Sequence, residues 1–146
     1  MANLYGTDYN SAFQAATPQN VEPARAGGRV RCLVDSITLV NAQNGDVIHM
    51  GGTKIPAGSQ VLGWVLDSED LGTTATLVLQ TESATETIAL SGGLDCASGA
   101  VVYSESERQG NVPQLVSAEA DVTLTVANAS GGLDGTVKLI VYYTVV

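Results

Sequence analysis

Three acids fall within four positions of the stretch "LDSEDLGTTATLVLQ", residues 66 to 80: Asp67, Glu69 and Asp70. Carboxylates packed this closely could hold a divalent cation or move a proton. A calcium loop of the EF-hand type needs ligands at alternate positions, Gly at the sixth and Glu at the twelfth. Counted from Asp67, the sixth residue is Gly72, but the fifth is Leu71 and the twelfth is Val78, so the register fails. The spacing predicts a hairpin tip instead: a strand ends at Asp67, the acids solvate a turn, and Gly72 supplies an unusual backbone angle.

Other chemistry is equally sparse. His49, in "DVIHMGG", is the chain's one histidine and has no second His or paired Cys for a metal site. No Ser stands in a nucleophile-elbow sequence that His49 could serve. "GGTKIPAG" lacks the residue order of a phosphate loop. Glu105 and Glu107, in "YSESERQG", have the alternation of a solvated strand end. Cys32 and Cys96 are too few for a disulfide framework, and their small, apolar neighbours predict reduced packing residues, with a single bridge the alternative. No catalytic, metal or cofactor site is expected, and the chain does not read as an enzyme.

Such residues as there are must be positioned by strands. From residue 29 onward the apolar period is two. "DVTLTVA" sets Val122, Leu124 and Val126 on one face, and "GTVKLIVYYTVV" does the same for Val137, Leu139, Val141, Tyr143 and Val145. "VLGWVLD" places Leu62, Trp64 and Leu66 together. In "RVRCLVDSITLV", Val30, Cys32 and Val34 share a face opposite to Ile37 and Leu39, which predicts a phase slip near Asp35 and Ser36. Turn-rich stretches separate the runs, and "SGGLD" at 91 and 130 reads as two similar loops. Strands are expected near 29–40, 46–50, 60–67, 74–80, 85–90, 99–103, 112–117, 120–127 and 135–146. The fold class is all-β: a single antiparallel β-sandwich, jelly-roll-like, with an extended N-terminal arm.

The boundary of that arm comes from composition. Residues 1–28 have few aliphatics, two prolines and a closing Gly27-Gly28 pair, and 29–146 form the sandwich domain. The arm still holds Tyr5, Tyr9 and Phe13, three of seven aromatics in the chain (five Tyr, one Phe, one Trp). Spaced by four, they would share a face if the segment became helical on docking. With Arg25, Arg29 and Arg31 at its root, the arm is expected to grip a neighbouring subunit. Charge follows the same division, +1 over residues 1–31 and −10 over 32–146, for a net −9. Such a surface repels phosphate backbones, so nucleic acid is not an expected partner. No apolar run approaches the ~20 residues of a membrane span, and the N-terminus lacks the pattern of a secretory signal. A protein made in the cytoplasm is expected. The outward phase of the last strand, Ile140, Tyr142 and Val146 beside Lys138, is more apolar than a solvated face and predicts self-association.

The segment "GGTKIPAGSQVLGWVLDSEDLGTTATLVLQ" resembles small virion structural proteins of tailed bacteriophages, where "IPAG" precedes an apolar strand, an acidic "D-LG" turn and a Thr-rich strand. The ending "GTVKLIVYYTVV" after a "VTLTV" strand, and the polar arm before "GRVR", resemble the same family. The stretch "TESATETIALSGGLDCASGAVV" departs from it. The resemblance implies a capsid decoration (head cement) protein made in the host cytoplasm. It would bind the major capsid protein on the head exterior, often as a homotrimer. A tail or head-fibre component and a carbohydrate-binding sandwich module are the alternatives that the residues leave open.

Overall fold

The computed structural model describes residues 2–6, 30–72, 74–96, 99–103 and 114–145. Among the described residues ten strands follow one another: β1 (Asn3–Tyr5), β2 (Val30–Ala42), β3 (Val47–Ile55), β4 (Gln60–Ser68), β5 (Thr76–Glu82), β6 (Thr87–Asp95), β7 (Ala100–Tyr103), β8 (Gln114–Leu115), β9 (Ala120–Ala127) and β10 (Leu133–Thr144). One sheet has the order β1-β3-β9-β5-β6 and the other β2-β10-β4-β7, with β8 on β4. With β1 and β8 set aside, the remaining eight pair first with last (β2–β10), second with seventh (β3–β9), third with sixth (β4–β7) and fourth with fifth (β5–β6). That is the wrapping of a jelly roll. The expected all-β sandwich is what forms.

Alternating side chains build the core between the sheets. Val122, Leu124 and Val126 of β9 face Val137, Leu139, Val141 and Tyr143 of β10, all buried. Trp64 is the largest of the interior side chains. Its indole N–H donates to the Leu90 carbonyl at 3.3 Å, which ties β4 in one sheet to β6 in the other.

Two phase predictions are corrected by bulges. Leu62 is 40% exposed, while Val61 joins Trp64 and Leu66 inside. The cause is a register shift: Tyr142 pairs with Gly63 but Tyr143 with Val61, so Leu62 is an inserted residue. In β2 no slip occurs at Asp35–Ser36. Leu33, Asp35 and Leu39 are buried along one unbroken inner phase, and Val30 and Val34 lie outside. The slip comes later, at Asn41 with φ of 51°, which brings Ala42 inward opposite Leu133.

Two further expectations change. The "SGGLD" at 91 is not a loop but the second half of β6, where the strand bulges opposite Leu79 and Ser91 Oγ accepts the Leu79 N–H at 2.9 Å. The acidic stretch after Asp67 is not a hairpin tip either, because β4 and β5 belong to different sheets. It is a corner between the layers. Leu71 and Ala75 plug the end of the core, and the chain is held by Leu71 N–H to Cys96 carbonyl at 3.2 Å and Cys96 N–H to Ala75 carbonyl at 3.1 Å. A turn at that site satisfies the same sequence preferences, so turn chemistry alone could not distinguish the two.

The structure also adds a strand where none is expected. Asn3–Tyr5 pairs in parallel with β3, in the register Asn3↔Val47, Leu4↔Ile48 and Tyr5↔His49. The first residues assigned to the arm therefore lie on a sheet edge. The boundary at residue 28, and residues 7–29, lie outside the described residues.

Candidate functional site

Two of the corner acids are occupied by backbone amides. Glu69 Oε2 accepts the Thr136 N–H at 2.9 Å, while the Glu69 N–H donates to the Thr136 carbonyl at 3.0 Å. Asp70 Oδ1 accepts the Gly72 N–H at 2.9 Å, and Gly72 takes φ of +104°, as a turn glycine should. Asp67 and Lys138 face one another in register across β4 and β10. Together with Glu69 and Thr136 they line a groove of about 210 Å³, smaller than the roughly 300 Å³ at which small-molecule sites begin. Among the described residues no group of three His, Cys, Asp or Glu side chains could hold a metal. Because Glu69 and Asp70 cap amides, the melting temperature should be the same in EDTA as in calcium. A calorimetric shift of several degrees between the two would show a cation bound at the corner.

His49 stands on the outer face of the other sheet. Its ring stacks on that of Tyr5 with centroids 5.1 Å apart and planes 21° from parallel. Its Nδ1 lies 3.7 Å from Asp121 Oδ2, and Lys54 Nζ lies 3.8 Å from Asp121 Oδ1. Lys54 and Asp121 form an ion pair beside the ring, so the imidazole that seats Tyr5 of β1 lies against a phenol ring and a carboxylate. Asp46 holds the other end of the same strand. Its carboxylate accepts the Gln43 N–H at 2.9 Å and the Ala2 N–H at 3.1 Å. These two amides hold its pKa below the ordinary 3.8, against the opposing effect of burial. A lowered folded pKa means stability that is present above 3.8 and lost as pH falls through the folded value. The stability gap between wild type and Asp46→Asn should thus be constant near neutrality and close in acid. A gap that survived undiminished at pH 2 would remove these hydrogen bonds from the account.

The expected contact residues separate into three groups. Tyr5 lies on His49 within the chain's own sheet. Arg31, in β2, sits beside the buried Tyr143 hydroxyl; burial pushes that phenol's pKa up and the guanidinium partly offsets it. Tyr9, Phe13, Arg25 and Arg29 lie outside the described residues, as do Glu105, Glu107 and Val146. Cys32 is half-buried and Cys96 buried, and both are free thiols. Burial raises the Cys96 pKa, which keeps it an inert packing residue.

The outer face of the β2-β10-β4 sheet is the largest departure from a solvated surface. In register across it run Val34, Ile140 and Val65, then Cys32, Tyr142 and Gly63, with Ser36, Lys138 and Asp67 forming a polar border. Val34 is 51% exposed, and Val30 and Tyr142 are each 39% exposed. The outward phase of β10 pointed to Ile140 and Tyr142. Val30 and Val34 were missed as partners, although their alternation opposite that phase is the signal that finds them.

No protein-family model and no curated protein matches the sequence. Solved structures share the fold, among them chains of three phage capsids. A chain in the capsid of Ralstonia phage GP4 aligns with TM-score 0.62 at 23% identity, covering 97% of this chain and 97% of that one. A chain of the cyanophage Pam1 capsid aligns with TM-score 0.59 at 23% identity, covering 92% and 99%. A chain in the acid-stable capsid of the Helicobacter pylori bacteriophage KHP30 aligns with TM-score 0.58 at 15% identity, covering 85% and 94%. At these identities the likeness is one of fold.

Proposed function

We propose that this chain is a non-enzymatic virion structural protein of a bacteriophage, one that decorates and stabilises the exterior of the capsid. The observation that carries the reading is the likeness of fold to chains in phage capsids over nearly the whole length of both partners. The apolar face of Val34, Ile140, Val65 and Tyr142 supports it. A surface of this kind suits contact with the major capsid protein or with further copies in a homotrimer. A net charge of −9 keeps free copies soluble until that face is covered. Tyr9, Phe13, Arg25 and Arg29 supply anchors for the capsid, and many such contacts on one lattice gain strength through multivalency. The protein is made in the host cytoplasm and comes to rest on the head surface.

The test is to label the protein on intact virions with gold-conjugated antibody and to add purified protein to undecorated heads. Regular head labelling and saturable binding are expected. Label confined to tails or fibres would move the protein to another part of the virion and overturn the decoration reading.

A further inference from the structure

We propose that residues 2–6 form an exchangeable strand, and that the seat on the β3 edge takes β1 of a second copy of this chain. The seat reads a short sequence closely. Val47 N–H donates to the Ala2 carbonyl at 3.3 Å, Gly6 N–H donates to the His49 carbonyl, and Tyr5 lies on the His49 ring. A Cβ at position 6 would overlap Asp35 Oδ2, and Asp35 is fixed there by accepting the Gly51 N–H at 2.8 Å. Gly51 in turn has φ of +92°, where its missing Cβ would press on Leu33. Ala-Asn-Leu-Tyr-Gly therefore fits, and nothing in these contacts depends on which copy supplies it.

The length of the connection permits either arrangement. Gly6 lies against Asp35, five residues along β2 from Val30. At roughly 3.3 Å per residue those two ends are about 17 Å apart. The 23 residues from 7 to 29 could span about 75 Å when extended. A connection of that contour length reaches the β3 edge of a neighbouring copy as well as its own, where copies are held side by side as the decoration reading requires. Among the described strands β1 pairs with β3 alone, so it leaves without opening β2–β10. Exchange of an identical element is a low-cost way to link copies, and here each copy would contribute Tyr5 to its neighbour's His49.

Asn3 and Val47 are register partners on one face, which gives a direct test. In a Cys32→Ser, Cys96→Ala background, an Asn3→Cys chain is mixed with a Val47→Cys chain near millimolar concentration and oxidised. The expected product is a heterodimer joined at positions 3 and 47, identified by mass. The doubly substituted chain should give covalent multimers beside its self-closed form. Failure of the mixed chains to join, while the double variant closes only on itself, overturns the proposal; so does the absence of any bond. A second measurement avoids the substitutions: in a mixture of labelled and unlabelled wild-type chains, a nuclear Overhauser contact between the Tyr5 and His49 rings of different copies is expected, and its absence counts against exchange. Saturable head binding without exchange would leave the decoration reading standing.

Discussion

Trp64→Ala should lower the melting temperature of the free protein by roughly 6–20 °C, the largest loss expected from any single truncation. Removing a fully buried large side chain costs about 3–5 kcal/mol, and a domain of this size loses roughly 2–4 °C per kcal/mol. Trp64 is 1% exposed on β4 and reaches across the core to the Leu90 carbonyl of β6. Truncation therefore opens a cavity between the sheets and leaves a buried acceptor without its donor, two costs that add. Trp64→Phe separates them: most of the volume stays, the hydrogen bond goes, and the loss should be about 1–2 kcal/mol. If Trp64→Ala melted within a degree or two of wild type by calorimetry, the sheets would be held together elsewhere.

Trp64 was legible as a core residue, and the reason marks the limit of what periodicity says. A period of two assigns residues to opposite faces as long as the ladder is regular. It identified the inner phases of β9 and β10 because those strands are central and unbroken through the core. It misplaced Leu62 because an inserted residue in β4 is set by the pairing with Tyr142 and Tyr143, far along the chain in β10. It put a slip at Asp35 because Val30, Cys32 and Val34 are apolar on one phase and Ile37 and Leu39 on the other. Asp35 is buried all the same, since it answers the N–H of Gly51 where β3 bends. The strand at Asn3–Tyr5 has three residues and no period to read. Its pairing depends on an edge of β3 that exists only once the sheet has formed. The corner acids looked like a hairpin for a related reason: Asp70 and Gly72 specify a turn, but not which sheet the chain enters afterwards.

Val34→Asp combined with Tyr142→Asp should abolish self-association and weaken binding to undecorated heads at least 100-fold, while the body melts nearly as before. Both side chains stand on the outer face of the sheet, exposed at 51% and 39%, so their replacement leaves the core between the sheets intact. The strand-propensity cost of such surface changes is at most about 1 kcal/mol each. At an interface the arithmetic is different. Two carboxylates placed beside Ile140 and Val65 would have to be desolvated on docking, with Lys138 across one strand and one row away as the neighbouring cation. Truncations at the centre of an interface cost about 2 kcal/mol or more each, and a factor of ten in affinity is about 1.4 kcal/mol, so the pair together should exceed a hundredfold loss. Light scattering would report the assembly state, cosedimentation with heads the affinity, and calorimetry the fold. Unchanged head binding by a well-folded double variant would clear this face of any role and leave the grip to the N-terminal segment. Loss of the fold itself would mean that Val34 and Tyr142 serve the sandwich, in which case Val34→Thr with Tyr142→Phe should melt normally and still assemble.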